Sequence, residues 1–456
     1  MKNKILYSNK NADINEILYS FLEVYSKYQE PIEVCFRDIL PNLNNVDRSS
    51  HLVHPYPAKL LVHIPYFFLN NDILTKRGDN VLDPFCGSGT VLLEALLANK
   101  NSFGADSNPL ARLISKVKTY RYNEKKLLEY FKNLNINCSY SNYPSVVNID
   151  YWFLPHIKLQ LIKIYGAIKE IDDDNYRDFF LVCFSNCIRK VSLADPRVSV
   201  PVRIKHNHYP RGHPFREKNI EILRQLKTIN VKDKFFEIVT ENIRRISTLN
   251  SLLNNKLSRI ISDDAKNLRN PKSKEFEGLP NERIDIILTS PPYSGAQKYI
   301  RSSSLNLGWT GLASVNDLRE LDNLSIGREN YRKSEYRDLH ITGIPAADSI
   351  LKKVHEINPL RAHIASNYLM EMSNALMESY NVLKTGGILI IVAANNQVCK
   401  YEFNTQEYLQ RILENLGAKV ILRLIDDIRS YGLMTKRNKT ANIITREWIL
   451  VFQKPN

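Results

Sequence analysis

Residues 80–108, NVLDPFCGSGTVLLEALLANKNSFGADSN, constrain the architecture more than any other stretch. NVLD is a short apolar strand, a glycine turn follows, TVLLEALLAN carries a helical apolar face, and SFGAD is a second strand ending in an acid. Strand, helix, strand in this order is a βαβ unit. It opens a doubly wound α/β sheet.

The glycine turn is not a phosphate loop. A Walker sequence needs Gly-Lys-Ser/Thr, and the turn holds no lysine. The dinucleotide pattern needs a third glycine where Leu92 stands. What remains is Asp83 at the strand end, Pro84 and Phe85, then Gly87 and Gly89 leading into Thr90. The two glycines lack a Cβ and let a bound group approach the backbone. Asp106 ends the next strand, followed by Ser107 and Asn108, where a carboxylate can accept hydrogen bonds from both ribose hydroxyls. Together they describe a nucleoside pocket without a phosphate cradle. S-adenosylmethionine (SAM) fits it, having an adenosine and a zwitterionic tail but no phosphate.

A second apolar strand, in DIILTSPPYSG (285–295), stops at Ser290-Pro291-Pro292-Tyr293. Proline fixes φ and has no N–H, so the pair stiffens the corner and leaves carbonyls unclaimed by a sheet partner. A rigid set of acceptors beside an aromatic ring has the character of a site. Asp285, before the apolar core of the strand, reads as a strand-entry residue rather than a catalytic acid.

The chain of 456 residues is long enough for two or three domains. The 63 Lys+Arg exceed the 48 Asp+Glu, giving +15. Between Asp195 and Ile260, 14 basic residues face 6 acidic ones, so +8 of the excess lies there. That concentration points to a polyanionic partner. The six cysteines are mostly isolated, which speaks against a disulfide framework, and Cys183 with Cys187 reads as a pair of core thiols. No metal site is expected. The N-terminus carries acids and is unlike a signal peptide. No apolar run approaches the roughly 18 residues of a membrane span, so the expected location is the cytoplasm.

Four segments are expected. Residues 1–50 are an N-terminal helical segment, and 51–130 are the first, cofactor-binding part of a catalytic domain. Residues 131–258 are a helical basic insertion. Residues 259–456 complete the catalytic domain, with a loop insertion at 294–365. The ending is again α/β, with strands ILIIVAANN, AKVILRLID and EWILVFQK. Asn395 and Asn396 end the first of these and serve equally well to line a pocket or to cap a turn.

DPFCGSGT followed by SPPY resembles the amino-methyltransferases of DNA, and within them the N4-cytosine branch, which commonly carries Ser-Pro-Pro-Tyr. The adenine-N6 branch more often begins that motif with Asp or Asn. HLVHPYPAKL (51–60) resembles the block over the methionine end of SAM, which implicates Tyr56, Pro57 and Lys59. SDDAKNL (262–268) resembles the block whose acid contacts the adenine, which implicates Asp264 and Ala265. The resemblance covers roughly 50–110, 259–300 and 366–456 and not the basic insertion, which here precedes the block at 262–268. It implies a Rossmann-like class I methyltransferase: a seven-stranded, mostly parallel sheet with an antiparallel C-terminal strand. It also implies duplex DNA as substrate and, as a further partner, a cognate restriction endonuclease.

An exocyclic amine is a poor nucleophile because its lone pair is delocalised into the ring. Acceptors for its two N–H groups draw the nitrogen toward sp³ and restore that pair. Ser290 Oγ and the Pro291 carbonyl are suited to this role, Pro292 frees the carbonyl, and Tyr293 offers a face to an extruded base. Carbon-5 chemistry requires a cysteine, usually after proline, and no cysteine here follows one. For DNA contact the expected residues are Arg203, Lys205, Arg211 and Arg216 in DPRVSVPVRIKHNHYPRGHPFREK, with Tyr299 and Arg301 after SPPY. His206, His208 and His213 in the same stretch have no acid or thiol partner nearby and read as contact or packing residues. A DNA-facing hairpin with Arg429, Lys436, Arg437 and Lys439 is also expected. The reading is cytosine-N4 methylation of duplex DNA, with adenine N6 or an RNA base as rivals.

Overall fold

The computed structural model describes residues 13–44, 49–57, 59–137, 140–295, 298–427 and 445–456. The basic hairpin with Arg429, Lys436, Arg437 and Lys439 lies outside them.

Among the described residues ten strands occur in chain order: β1 (Ile32–Val34), β2 (Asn80–Asp83), β3 (Asn101–Ala105), β4 (Ser258–Ser262), β5 (Ile284–Thr289), β6 (Leu383–Ala393), β7 (Asn396–Val398), β8 (Tyr401–Phe403), β9 (Lys419–Asp427) and β10 (Arg446–Gln453). β7 and β8 form a small hairpin, and the other eight form one sheet in the order β1-β9-β10-β6-β5-β2-β3-β4. Only β10 runs antiparallel, against both β6 and β9. The fold is the doubly wound, Rossmann-like α/β class, with one correction. The sheet has eight strands where seven were expected. The extra strand, β1, comes from the N-terminal segment and pairs in parallel with β9. Three residues are too few for a period of two to register in sequence. Asp426 secures this edge by accepting from the Phe36 N–H at 3.1 Å.

Successive strand residues point to opposite faces, and the sheet is buried on both. Val81, Ile286 and Ile390 pack toward the helices Ile14–Tyr28 and His63–Leu69. Their neighbours Leu82, Ile287 and Ile391 pack toward Pro359–Val382 and Thr405–Asn415. The helices of the 131–258 region do not form a separate core. Phe179, Phe180 and Phe184 of Asp174–Val191 share one apolar cluster with Leu110, Ile114 and Val117 of the sheet-covering helix Pro109–Thr119.

Residues 294–365 are a second correction, because much of this expected loop is helical. It contains Tyr299–Thr310, Leu318–Leu324 and Pro345–Ile357. The first is buried nearly all round, with Ser302, Ser303, Asn306 and Thr310 buried along with Leu305 and Trp309. Two of its polar side chains find partners inside the protein: Asn306 Nδ2 donates to the Ser185 carbonyl at 2.7 Å, and Thr310 Oγ1 to the Asn306 carbonyl at 2.7 Å. Such a helix shows no amphipathic stripe, which is why SSSLNLGWT reads as loop.

Candidate active site

β2 and β5 are neighbours in parallel register, Val81 opposite Ile286 and Leu82 opposite Ile287, so both sequence motifs emerge at one edge of the sheet. A side-chain hydrogen bond joins them: Thr289 Oγ1 donates to Asp83 Oδ1 at 2.6 Å. The same oxygen accepts from the Phe85 N–H at 3.0 Å, which shapes the turn. Burial pushes the Asp83 carboxyl up to about 7 despite these donors.

The turn then passes Gly89 at φ +75°, a left-handed conformation that favours glycine; a Cβ there would also stand 2.8 Å from Ser115 Oγ. Gly87 N–H donates to Asp106 Oδ2 at 2.9 Å, and Asn108 N–H to Oδ1 at 2.8 Å. Burial raises the Asp106 pKa above the ordinary carboxylate value, while these two donors oppose the rise. Asn108 caps Pro109–Thr119 through its Oδ1, and its Nδ2 donates to Tyr56 Oη and Ser303 Oγ, both at 3.1 Å. That side chain ties the 51–60 block and the helix Tyr299–Thr310 to the turn.

These elements enclose a cleft with about 670 Å³ of empty space, counted to its mouth. Tyr56, Pro84, Phe85, Gly87, Asp106, Ser107 and Asn108 line it from the first motif, and Asp264 and Ala265 from the end of β4. Ser290, Pro292 and Tyr299 line it from the second motif. Among the described residues its charged lining consists of two aspartates, with no lysine or arginine. A cleft without cationic side chains is a poor place for phosphates and suits a cofactor whose reactive centre is a sulfonium. Glycine backbone, apolar walls and the Asp106 carboxylate together fit SAM.

Several expected residues stand outside this lining. Lys59 Nζ donates to the carbonyls of His51 and His54 at 3.1 and 3.0 Å, and burial draws its pKa down to about 8. It braces the 51–60 turn from behind. Pro57 belongs to that turn, and Thr90 is buried at the start of the helix Thr90–Leu97. Pro291 is buried beneath the corner. Tyr293 directs its phenol away, donating to Glu447 Oε1 on β10 at 2.8 Å.

The expected DNA contacts divide. Lys205, Arg211 and Arg301 are exposed, whereas Arg203 is engaged with Tyr151, whose ring it covers at 4.5 Å. Arg216 donates to the Tyr209 carbonyl at 3.0 Å. His213 stacks on Tyr209 at 4.6 Å and caps the helix Pro214–Thr228 by accepting from the Phe215 N–H. Asp285 sits at the opposite end of β5, paired with Lys384 at 2.5 Å and accepting from the Asn80 N–H. Asn395 accepts from the Gln406 N–H at 3.2 Å, the capping role. Cys183 is buried among aromatic residues, its thiol pushed up to about 12.

Sequence reasoning missed Thr289, Glu447 and Ser303, and the lining contributed by Leu324, Ser325 and Ile326. Thr289 had a signal, a hydroxyl directly before Ser-Pro-Pro-Tyr. The others had none, since only folding brings them to the motifs.

Residues 2–116 match the DNA methylase family that modifies the N6 and N4 positions. The chain is similar to the Type II methyltransferase M.MvaI of Kocuria varians, 25% identical with 88% of each chain covered. It is similar to M.BsoBI of Geobacillus stearothermophilus, 23% identical, covering 83% of this chain and 81% of the relative. M.AvaI of Anabaena variabilis is 24% identical, with 97% of each covered. With a cleft that joins both motifs, the chain is similar to the DNA methylase family over residues 2–116 and to Type II methyltransferases over most of its length.

Proposed function

We propose that this protein methylates the exocyclic N4 amine of cytosine within a short sequence of duplex DNA, as the modification partner of a restriction endonuclease. The observation carrying the reading is the Thr289–Asp83 hydrogen bond, which fastens the Ser-Pro-Pro-Tyr corner to the glycine turn across one cleft. The first-position serine favours cytosine by resemblance, and the likeness to Type II methyltransferases favours a paired nuclease.

Asp106 and Asp264 would hold the adenosine end of SAM, with Tyr56 over the turn. SAM, when bound, supplies an electrophilic methyl group. Ser290 Oγ and the Pro291 carbonyl accept from the amine N–H groups and restore the nitrogen lone pair. Phe85 and Tyr299, on the cleft walls, offer apolar faces to an extruded base and offset part of the few kcal/mol that extrusion costs.

The test is to digest DNA methylated by the purified protein to nucleosides and separate them by mass. N4-methylcytosine is the expected product. N6-methyladenine alone would refute the cytosine assignment, and methyl transfer to RNA alone would refute the DNA one.

A further inference from the structure

Methylating an exocyclic amine leaves one proton too many on the nitrogen, and the cleft itself offers few places for it. Asp106 already accepts two backbone N–H groups, and Asp264 accepts from the Lys266 N–H and from Asn267 Nδ2, both at 2.9 Å. Behind the catalytic corner a chain of hydroxyls leads elsewhere. Ser290 lines the cleft three residues before Tyr293, and its hydroxyl acts on the Tyr293 phenol, opposing the rise of that phenol's pKa. Tyr293 donates to Glu447 Oε1 at 2.8 Å. Serine, tyrosine and carboxylate stand in sequence behind the corner, the last two joined by a hydrogen bond, on a path out of the site.

We propose that Ser290, Tyr293 and Glu447 form a proton relay, with Glu447 the acceptor of the proton released by the methylated amine. The inference rests on the amine-methyltransferase reading above. As the nitrogen bonds to carbon it becomes cationic. One of its protons passes to Ser290 Oγ, the serine's own proton passes to Tyr293 Oη, and the tyrosine's proton passes to Glu447 Oε1. The amine has then lost one proton and Glu447 has gained one, with both hydroxyls restored. Glu447 afterwards releases that proton to solvent.

The surroundings of Glu447 suit an acceptor. Burial raises its pKa above the ordinary glutamate value, with Tyr293 and Arg37 opposing. Asp426, its partner across the ladder on β9, is itself pushed up to about 6. The neighbouring charges are engaged with one another: Arg446 pairs with Asp427 at 2.9 Å and with Glu33 at 3.3 Å. Tyr299 is the other titratable group facing Tyr293. A carboxylate of raised basicity takes up a proton more readily than an exposed one.

A purely structural Glu447 would only hold the tyrosine in place, and Glu447→Gln separates the two roles. Glutamine keeps a carbonyl that accepts from Tyr293 but takes up no proton. Single-turnover methylation is measured against pH for wild type, Glu447→Gln, Glu447→Asp and Tyr293→Phe, with SAM and DNA affinities measured on the same preparations. Wild type should slow as pH falls through the Glu447 pKa. Glu447→Gln and Tyr293→Phe should be about 100-fold slower at neutral pH, the low end of the roughly 10²–10⁴-fold typical of general-base catalysis, and should lose that acidic limb. Glu447→Asp should recover part of the rate and the limb, and both affinities should stay within twofold. Isotope-edited infrared titration should place the Glu447 carboxyl above the ordinary glutamate value. A Glu447→Gln variant with wild-type rate and acidic limb would overturn the relay, as would one that loses rate only with affinity. Methyl found on adenine N6 would refute the cytosine reading while leaving the relay comparison intact, because that amine sheds the same proton.

Discussion

Asp83 and Asp106 lie at the ends of adjacent strands and face opposite demands. Asp83 is enclosed and bonded to Thr289, so its carboxyl is raised to about 7; Asp106 opens on the cleft with two backbone donors. A buried acid whose folded pKa exceeds its unfolded value near 3.8 contributes stability that is complete below the unfolded pKa and lost as pH rises through the folded one. The stability of wild type relative to Asp83→Asn should therefore fall between about pH 4 and pH 7 and level off above, as read by urea midpoints across pH. Asp106→Ala should weaken SAM binding by about 1–3 kcal/mol, the cost of unpaired polar groups, as measured by calorimetry. Full affinity would remove Asp106 from the cofactor's contacts. At this scale the sequence was readable where motifs are local. Pro84, Phe85, Gly87, Ser107, Asn108, Ser290 and Pro292 all reach the cleft. Pairings across the sheet were not readable, because Thr289 is 206 residues from Asp83 and Glu447 is 154 from Tyr293.

The helix Tyr299–Thr310 links the site to the basic helical region. One end lines the cleft through Tyr299, and the other packs Trp309 edge-on against Phe153 at 5.5 Å. Gly308 permits the approach, since a Cβ there would stand 2.6 Å from the Ser145 carbonyl oxygen and 3.0 Å from Val146 Cα. Backbone atoms cannot turn aside as a side-chain tip does, so Gly308→Ala should destabilise the protein by about 1–3 kcal/mol. The urea midpoint should fall with an unchanged slope, whereas an unchanged midpoint would show that the two segments separate easily. Elements with clean periodicity, such as Thr90–Leu97 and β5, announced themselves in the sequence. This helix and β1 did not, one because it is buried on every side and the other because three residues carry no period.

Over the whole molecule, the +15 charge and an uncharged-to-acidic cleft belong to separate surfaces. On the proposed reading the cleft would discriminate by shape and hydrogen bonding, and exposed lysines and arginines would supply phosphate contact. Each phosphate neutralised should steepen the dependence of log affinity on log salt by about 0.9. Lys205→Ala and Arg211→Ala should each lower that slope by roughly one if they touch the backbone, as read from DNA binding at several salt concentrations. An unchanged slope would place the DNA elsewhere. The central claim is that two strand ends present cofactor and substrate amine to each other across a single cleft. Its most direct measurement is SAM affinity and single-turnover methylation on the same Ser290→Ala preparation. The account predicts SAM bound as tightly as by wild type, with methyl transfer slowed at least about 100-fold. Wild-type transfer by that variant would contradict it.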